Sequence, residues 1–251
     1  MQIPATDLLS RDTFLNGHIC VWQYKKGYRF SIDAVLLASF YRYSPEDYVV
    51  DMGCGSGIIS LLLAYWYPHL CLTGVEIQPE LAWVARKNVD ENHFKERMNI
   101  VCADITTMQK SDFFRTPTHL MINPPFYAVG TGRQNPNVQQ LIARHEVSLR
   151  MEQIIQTADG LLDEGGHFLC IYPAERWEEL QKELLKNEFY ISRVGKIYSK
   201  QEEAMKLVLV EAVKKMPVPK MTESEIVLYT NEGEYTNEIQ AIFQGGVPNL
   251  G

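Results

Sequence analysis

A short apolar strand, a loop with three glycines and an apolar helix follow one another in residues 48–67, and this succession constrains the fold more than any other feature. The strand YVVDM leads into the loop at 53–57, and IISLLLAYWY continues directly as a helix. A strand that is apolar along its whole length is expected to be buried on both faces, as in parallel sheets. Parallel strands need a long crossover, usually a helix, so the unit predicts an α/β fold.

The same alternation of strand and helix continues to residue 215. Further helices are predicted at 79–93, 151–166 and 174–187, and further strands at 70–77, 98–105, 118–125, 167–173, 190–199 and 204–215. The last two strands are joined by a short connection, which predicts an antiparallel hairpin. The predicted fold class is α/β: a doubly wound, Rossmann-like sheet of seven mostly parallel strands with a C-terminal antiparallel hairpin and helices on both faces.

The bulk composition fits a single soluble domain. The 251 residues are 46% hydrophobic, and no tract approaches the roughly 18 apolar residues that a membrane span requires. The N-terminus lacks the basic-then-apolar order of a signal peptide, which predicts a cytoplasmic protein without membrane partners. The five cysteines form no C-x-x-C pair, so no metal site is predicted. Residues 1–251 are expected to form one domain with an N-terminal extension (1–45), a core (46–215) and a C-terminal tail (216–251).

The charge balance argues against a nucleic-acid partner. The formal net charge is −7, whereas phosphate binding uses clustered Lys and Arg. A local basic face remains compatible with an acidic total, although a solvated surface explains each cluster equally well. The clustered cations are Lys25, Lys26, Arg29 and Arg42 before the glycine loop and Arg133, Arg144 and Arg150 further along the chain.

The first candidate site residues stand in the glycine loop, because doubly wound sheets bind ligands outside the carboxyl ends of their strands. Asp51 is followed by Gly53, Gly55 and Gly57, and glycines let a ligand approach the backbone closely. A dinucleotide fingerprint, G-x-G-x-x-G, would need a glycine in place of Ile58. The G-x-G-x-G register instead resembles the first motif of S-adenosylmethionine-dependent methyltransferases. A tight turn that binds nothing is the alternative.

Acidic residues follow the next two predicted strands. Glu76, with Ile77 beside it, stands 19 residues beyond Gly57, where a carboxylate can accept both hydroxyl hydrogens of a ribose. Asp104 and Ile105 end the third strand, and the methyltransferase resemblance implies contact with the cofactor adenine there. Each acid is also compatible with a helix-capping role.

A rigid motif, Asn123-Pro124-Pro125-Phe126, follows the fourth strand. Two prolines fix the backbone and leave carbonyl groups that can only accept hydrogen bonds. The Asn123 amide oxygen and the Pro124 carbonyl could therefore accept both hydrogens of an exocyclic amine, while the ring of Phe126 stacks on the base. This predicts methyl transfer to a planar amino group, with these four residues as the catalytic set. The alternative is an ordinary proline turn.

Three segments extend the likeness to one family. GYRFSIDAVLL at 27–37, NPPFY at 123–127 and ARHE at 143–146 resemble the bacterial tRNA(Val) adenine-37 N6-methyltransferases, which belong to the class I amino methyltransferases. The resemblance covers roughly residues 10–235. It implies S-adenosylmethionine as cofactor, S-adenosylhomocysteine as product, and transfer to N6 of an adenine in the anticodon loop of a tRNA.

The resemblance also implies roles for the N-terminal extension, which is expected to face the cofactor and the RNA. Phe30, Ser31 and Asp33 are expected to form a wall of the cofactor pocket over the methionine end, and Asn123 is also expected to contact the cofactor. Residues expected to contact the substrate are Lys25, Lys26, Arg29, Tyr127 and Arg144.

Two rival functions stay open at this point. The same motif could serve guanine N2 in ribosomal RNA, adenine N6 in DNA or a glutamine amide in a protein. The glutamine alternative ordinarily shows a tyrosine where this chain has Phe126 and carries a separate N-terminal helical domain. A non-catalytic scaffold that binds the cofactor is the more distant rival, and it has little physical need for the Asn-Pro-Pro-Phe geometry.

Overall fold

The structure, a computed structural model, describes residues 6–26, 29–124, 151–248 and 250. Ten strands and six α-helices are assigned within these ranges. The strands are β1 (Leu9–Phe14), β2 (Ile19–Tyr24), β3 (Tyr48–Met52), β4 (Cys71–Glu76), β5 (Met98–Cys102), β6 (His119–Ile122), β7 (His167–Pro173), β8 (Phe189–Tyr198), β9 (Met205–Lys214) and β10 (Thr222–Val227). The helices are α1 (Ile32–Phe40), α2 (Ile58–Trp66), α3 (Pro79–Glu91), α4 (Met151–Leu161), α5 (Trp177–Lys186) and α6 (Asn237–Phe243).

Eight of the strands form one sheet in the order β10-β8-β9-β7-β6-β3-β4-β5. The five strands from β7 to β5 in this order run parallel, and β9 lies antiparallel to both β7 and β8. The predicted α/β class, the mostly parallel sheet and the antiparallel hairpin are therefore confirmed. The order changes direction at β3, so the ends of β3 and β6 flank the point where ligands of such sheets bind.

Helices cover both faces of the sheet, because the side chains of β3 are buried on both sides. Val49 packs with α1, α2 and α3 on one face, whereas Tyr48, Val50 and Met52 pack with α4 and α5 on the other. Each of these four side chains is almost fully buried. This double burial explains why β3 is apolar throughout and why it lies in the middle of the sheet.

The predicted count of seven strands in the main sheet is wrong by one. Residues 222–227 add β10 parallel to β8 at the edge of the sheet. The sequence TESEIV hides this strand, because only Ile226 is buried and the charged side chains suit an exposed edge. The tail also supplies α6, whose Ile239 and Ile242 join the core on the α1 side.

A separate two-stranded sheet, β1–β2, lies before α1 and was absent from the predicted elements. Ile19 and Val21 of β2 are fully buried, while β1 begins with the buried Leu9 and then alternates half-buried and exposed residues. In the described parts of the chain no helix combines the length and apolar character that would cross a membrane.

Candidate active site

The loop at 53–57 joins β3 to α2 and is fixed by the neighbouring strand. The backbone N–H groups of Gly53 and Cys54 both donate to the carbonyl of Val75, at 2.8 and 3.0 Å. Gly53, Gly55 and Gly57 all adopt left-handed φ angles, of 69°, 56° and 83°. A side chain is strained in that region, so glycine is required for this loop path. Gly53 is the exposed residue of this loop, so a ligand at the carboxyl end of β3 can approach the backbone there, whereas residues 54–57 are buried.

Glu76 ends β4 and reaches under the glycine loop. Its carboxylate accepts from the backbone N–H of Gly55 at 2.8 Å and from that of Gln78 at 2.9 Å. The residue is only 4% exposed, and burial raises its pKa although these hydrogen bonds act in the opposite direction. A carboxylate offers about four acceptor positions. The backbone of Ile77 and the side chain of Gln78 also stabilise the charged form of this carboxylate. A ligand that donates hydroxyl hydrogens, such as a ribose, would share the carboxylate with these groups.

Asp51, the acid before the first glycine, lies inside the protein and points away from solvent. Its Oδ2 accepts from the hydroxyl of Ser60 on α2 at 2.9 Å. Burial raises the pKa of Asp51 to about 7, and the nearby carboxylate of Glu76 adds to the shift. In the described part of the chain Oδ1 of Asp51 has no hydrogen-bond partner. Asp51 therefore braces α2 while leaving one buried polar atom unsatisfied.

Asp104 and Asn123 follow β5 and β6. Asp104 is half-buried, and its Oδ1 accepts from the N–H and the hydroxyl of Thr106 at 2.9 and 2.7 Å, so it caps the 3-10 turn Ile105–Thr107. The capping role that the sequence allowed is therefore observed, and its contact with a cofactor stays a prediction. Asn123 is half-buried and Pro124 is buried.

The topology brings four predicted residues to one edge. The strands run in the order β6-β3-β4-β5, and Gly53, Glu76, Asp104 and Asn123 stand at or just beyond their carboxyl ends. Adjacent strands are about 4.8 Å apart, so these four residues extend over a distance comparable to the length of a small-molecule ligand. Met121 pairs with Asp51 across β6 and β3, which sets Asn123 opposite the start of the glycine loop. Ile77, directly after Glu76, is 39% exposed at the same edge.

The N-terminal residues are placed differently. Ser31 precedes α1 and is exposed, Asp33 lies in the first turn with its pKa raised by burial, and the Phe30 ring packs edge-on against Phe14 at 5.7 Å. These contacts do not join the segment to the glycine loop, so its predicted place in the pocket wall stays a prediction.

The predicted substrate-binding cations make contacts within the chain. Arg29 pairs with Asp12 at 3.0 Å, Lys25 donates to the carbonyl of Asp7 at 2.8 Å, and Lys26 is exposed. The remaining predicted site residues, Pro125, Phe126, Tyr127 and Arg144, lie outside the described residues.

Comparison with known proteins identifies the family. Residues 30–198 match the methyltransferase small domain family, a span that runs from just before α1 to the end of β8. The span contains the glycine loop, Glu76, Asp104 and Asn123. The chain belongs to this family. The prediction of a methyltransferase is confirmed.

Several relatives of this methyltransferase carry one name, tRNA1(Val) (adenine(37)-N6)-methyltransferase. The protein of Shewanella halifaxensis is 31% identical over 149 residues, which cover 59% of each chain. The protein of Porphyromonas gingivalis is 29% identical over 189 residues, 73% of each chain, and that of Vibrio campbellii is 22% identical over 83% of this chain and 84% of its own. The matched length thus varies from about three fifths to more than four fifths of the relatives.

Solved structures share the fold. A predicted O-methyltransferase of Agrobacterium tumefaciens has a TM-score of 0.69 at 21% identity, covering 86% of this chain and 98% of its own. P. horikoshii TYW2 in complex with MeSAdo has a TM-score of 0.58 at 17% identity, covering 85% and 74%. The likeness at these identities concerns the fold alone, and it confirms the predicted class I methyltransferase architecture of this family member.

Two residues that support the methyltransferase loop were missing from the predicted site. Gly74 in β4 faces the loop, and a Cβ there would lie 2.8 Å from both Sγ of Cys54 and Cδ1 of Ile100. Asn88 is fully buried on α3 and donates to the carbonyl of Ser56 at 2.9 Å. Asn88 follows Leu81, Val84 and Ala85 on the apolar stripe of the helix, and a polar residue at such a position is the signal that could have revealed it.

A buried polar cluster lies at the opposite edge of the sheet, where β6 and β7 begin. The rings of His119 and His167 stack at 4.5 Å, and His167 Nδ1 lies 2.6 Å from Oε1 of Glu211. The guanidinium of Arg193 donates to Oε2 of Glu211. His119, His167 and Glu211 each place one possible metal-ligating atom within 4.8 Å of the others, but the carboxylate is engaged on both oxygens and a guanidinium cation adjoins it. We therefore treat the cluster as structural, and the expected lack of a metal site stays a prediction.

Proposed function

We propose that this chain transfers a methyl group from S-adenosylmethionine to the exocyclic N6 of an adenine in RNA, and that the target is adenine-37 in the anticodon loop of tRNA(Val). The observation that carries the proposal is the row of Gly53, Glu76, Asp104 and Asn123 along one edge of the sheet in a member of a methyltransferase family. The name shared by the relatives specifies the acceptor atom and the tRNA.

The residues at this edge fit the cofactor. Glu76 is a buried carboxylate at the carboxyl end of β4, and a carboxylate can accept both hydroxyl hydrogens of a ribose. The buried atoms Oδ1 of Asp51 and Oγ of Ser56 lack partners among the described residues, and both belong to the glycine-loop region. Unsatisfied buried polar atoms are costly. Asp51 points into the protein toward α2, so of these two atoms it is the hydroxyl of Ser56, between Gly55 and Gly57, that could gain a partner from a polar ligand on this loop. The proposed cofactor-contacting set is Phe30, Ser31, Asp33, Asp51, Gly53, Gly55, Gly57, Glu76, Ile77, Asp104, Ile105 and Asn123.

The bound cofactor supplies an electrophilic methyl group on a sulfonium sulfur. The side chain of Asn123 and the carbonyl of Pro124 accept the two hydrogens of the adenine amine, which orients the nitrogen lone pair toward that methyl group. Phe126, which lies outside the described residues, is proposed to offer its ring for stacking on the base. No general base is required, because the proton can leave after the nitrogen has become cationic. Positioning and electrostatic preorganisation supply most of the acceleration.

An adenine in an anticodon loop suits this geometry. Loop bases are unpaired and can be turned outward at small cost, whereas a paired base must first leave its stack. The acidic total charge of the chain disfavours broad phosphate contact, which agrees with recognition of one local loop by a short basic segment. Lys25, Lys26 and Arg29 are the described candidates for that segment, and Tyr127 and Arg144 are further candidates.

The test is transfer of radiolabelled methyl from S-adenosylmethionine by the purified protein into a tRNA(Val) transcript, followed by nucleoside analysis. A transcript with guanine at position 37 is the matched control. We expect labelled N6-methyladenosine in the first transcript and no label in the second.

The alternatives give different results in the same assay. Label in ribosomal RNA, DNA or protein with none in tRNA would replace the proposed substrate but keep the methyltransferase. Binding of the cofactor without transfer to any of these acceptors would favour the non-catalytic scaffold.

A further inference from the structure

Asn88 connects two parts of the molecule through one side chain. Its Oδ1 accepts from the backbone N–H of Trp22 at 2.6 Å, and its Nδ2 donates both to the carbonyl of Trp22 and to the carbonyl of Ser56, each at 2.9 Å. Trp22 belongs to β2, whereas Ser56 belongs to the glycine loop. The amide therefore uses both of its donor hydrogens and its acceptor, and it does so in a fully buried position.

Asn92 makes the same pairing one helical turn later. Its Oδ1 accepts from the N–H of Cys20 at 2.8 Å, and its Nδ2 donates to the carbonyl of Cys20 at 2.7 Å. Cys20 and Trp22 are two residues apart on one edge of β2, and two residues of an antiparallel strand span about 6.8 Å. Four residues of a helix rise about 6 Å. The spacing of the two asparagines along the helix therefore matches the spacing of Cys20 and Trp22 along the strand. Their side chains pair with the backbone edge of β2 as a neighbouring strand would.

The two asparagines differ in burial and in their third hydrogen bond. Asn88 is fully buried, whereas Asn92 is half-buried and uses its other donor hydrogen for the backbone carbonyl of Asn88, at 2.8 Å. Both hold β2, but only Asn88 also holds the glycine loop, through Ser56. That carbonyl lies between Gly55, whose N–H binds Glu76, and Gly57, which is the N-cap residue of α2. A loop with three left-handed glycines has few conformational restraints of its own, so a hydrogen bond at its centre restricts it strongly.

We infer that Asn88 is a positioning residue for the cofactor: it fixes the glycine loop in its binding conformation and couples that loop to the β1–β2 hairpin. The inference rests on the proposed assignment of the loop to S-adenosylmethionine. Loss of the Ser56 contact removes one of the hydrogen bonds that hold the loop, which allows other conformations to be populated and lowers the fraction competent to bind.

Asn88→Ala and Asn92→Ala form a matched pair, because each variant removes two hydrogen bonds to β2 while only the first releases Ser56. Affinity for S-adenosylhomocysteine is measured by titration calorimetry, and the thermal midpoint of each cofactor-free protein is recorded. We expect affinity to fall about tenfold or more in Asn88→Ala and to stay within about twofold of the wild type in Asn92→Ala. Equal affinities in the two variants, whether both retained or both reduced, would overturn the inference.

A second measurement on the wild-type protein covers the case in which Asn88→Ala does not fold. Binding of S-adenosylhomocysteine should slow amide hydrogen exchange at Trp22, which Asn88 binds, more than at Cys20, which Asn92 binds. An equal change at the two amides contradicts the coupling. If the wild type binds no S-adenosylhomocysteine in either experiment, the proposed cofactor assignment fails, and the inference fails with it. This outcome differs from one in which the wild type binds the ligand but the two variants, or the two amides, behave alike.

Discussion

The backbone N–H of Gly55 donates a 2.8 Å hydrogen bond to Oε2 of Glu76, and this bond ties the loop after β3 to the end of β4. The other carboxylate oxygen accepts from Gln78 at the start of α3. Glu76 thus organises the turns after two adjacent strands before any ligand arrives. The same carboxylate is the group that we propose to hold the ribose, so loop geometry and ligand binding depend on one side chain.

We expect Glu76→Gln to weaken S-adenosylhomocysteine binding by about tenfold to a hundredfold. Glutamine has the same shape but a single acceptor oxygen, so one of the two backbone N–H groups must face its amide NH2. Titration calorimetry measures the change. Glu80→Gln, at an exposed position on α3, is the control and should bind normally. Wild-type affinity in Glu76→Gln would contradict the proposed role.

We expect Gly74→Ala to lower the free energy of unfolding by about 1–3 kcal/mol, because the added methyl would lie 2.8 Å from Sγ of Cys54 and from Cδ1 of Ile100. Adding Ile100→Val and Cys54→Ala removes both opposing atoms and should recover part of the loss. Gly160→Ala is the control, since a Cβ on this helical glycine meets nothing within 4 Å and should stabilise the helix by roughly 0.5–1 kcal/mol. Urea unfolding measures all of these. A Gly74→Ala protein as stable as the wild type would contradict this prediction and would show that Cys54 and Ile100 can move aside at no cost in stability.

The sequence predicts the central elements well, because a strand buried on both faces and a helix with one apolar face leave different periodicities. Helix α2 coincides with the predicted apolar helix IISLLLAYWY, and the glycine loop, Glu76 and Asn123 lie at strand ends as expected. These features depend on local patterns that a single sequence displays.

Other features depend on partners that no local pattern names. Strand β10 carries Glu223 and Glu225 on an exposed edge, so it lacks the apolar signature of a strand. The role of Asn88 exists only because β2, 66 residues earlier in the chain, presents its edge to α3. The sequence around Gly74 does not indicate that Cys54 and Ile100 pack where a side chain at this position would lie. Tertiary contacts decide these cases.

We expect Asn123→Ala to lower turnover on tRNA by on the order of a hundredfold or more while S-adenosylhomocysteine affinity stays nearly intact. The side chain is proposed to act on the acceptor amine, so its loss leaves the glycine loop and Glu76 in place. Single-turnover methyl transfer and calorimetry separate the two quantities. Asn99→Ala, at an exposed position on β5, is the control and should keep full turnover. Reduced cofactor affinity with preserved turnover per bound enzyme would refute the assignment.

The buried carboxyl of Asp51 should make the cofactor-free protein less stable as pH rises. Burial raises its folded pKa to about 7, above the unfolded value near 3.9, so its stabilising contribution is full below about pH 4 and is lost as pH rises through 7. Asp51→Asn cannot titrate. The unfolding free energy of this variant should therefore gain about 3 kcal/mol relative to the wild type between pH 5 and pH 8. Asp7→Asn, at an exposed position, should show no such trend, and a constant difference for Asp51→Asn would disprove the prediction.

The contribution of the buried His119 to folding stability should have the opposite pH dependence to that of Asp51. Burial lowers the folded pKa of His119 to about 4, against about 6.5 when unfolded, although the nearby carboxylate of Asp47 acts to raise it. Between these values the unfolded chain binds a proton that the folded protein does not, so this contribution to stability is present above pH 6.5 and is lost as pH falls to 4. His119→Gln removes the titration, and its stability relative to the wild type should rise by roughly 3 kcal/mol from pH 7 to pH 4. Urea unfolding across this range measures the difference, with the exposed His69→Gln as control. If the unfolding free energies of both variants differ from that of the wild type by a constant amount at every pH, the buried histidine does not govern stability in acid.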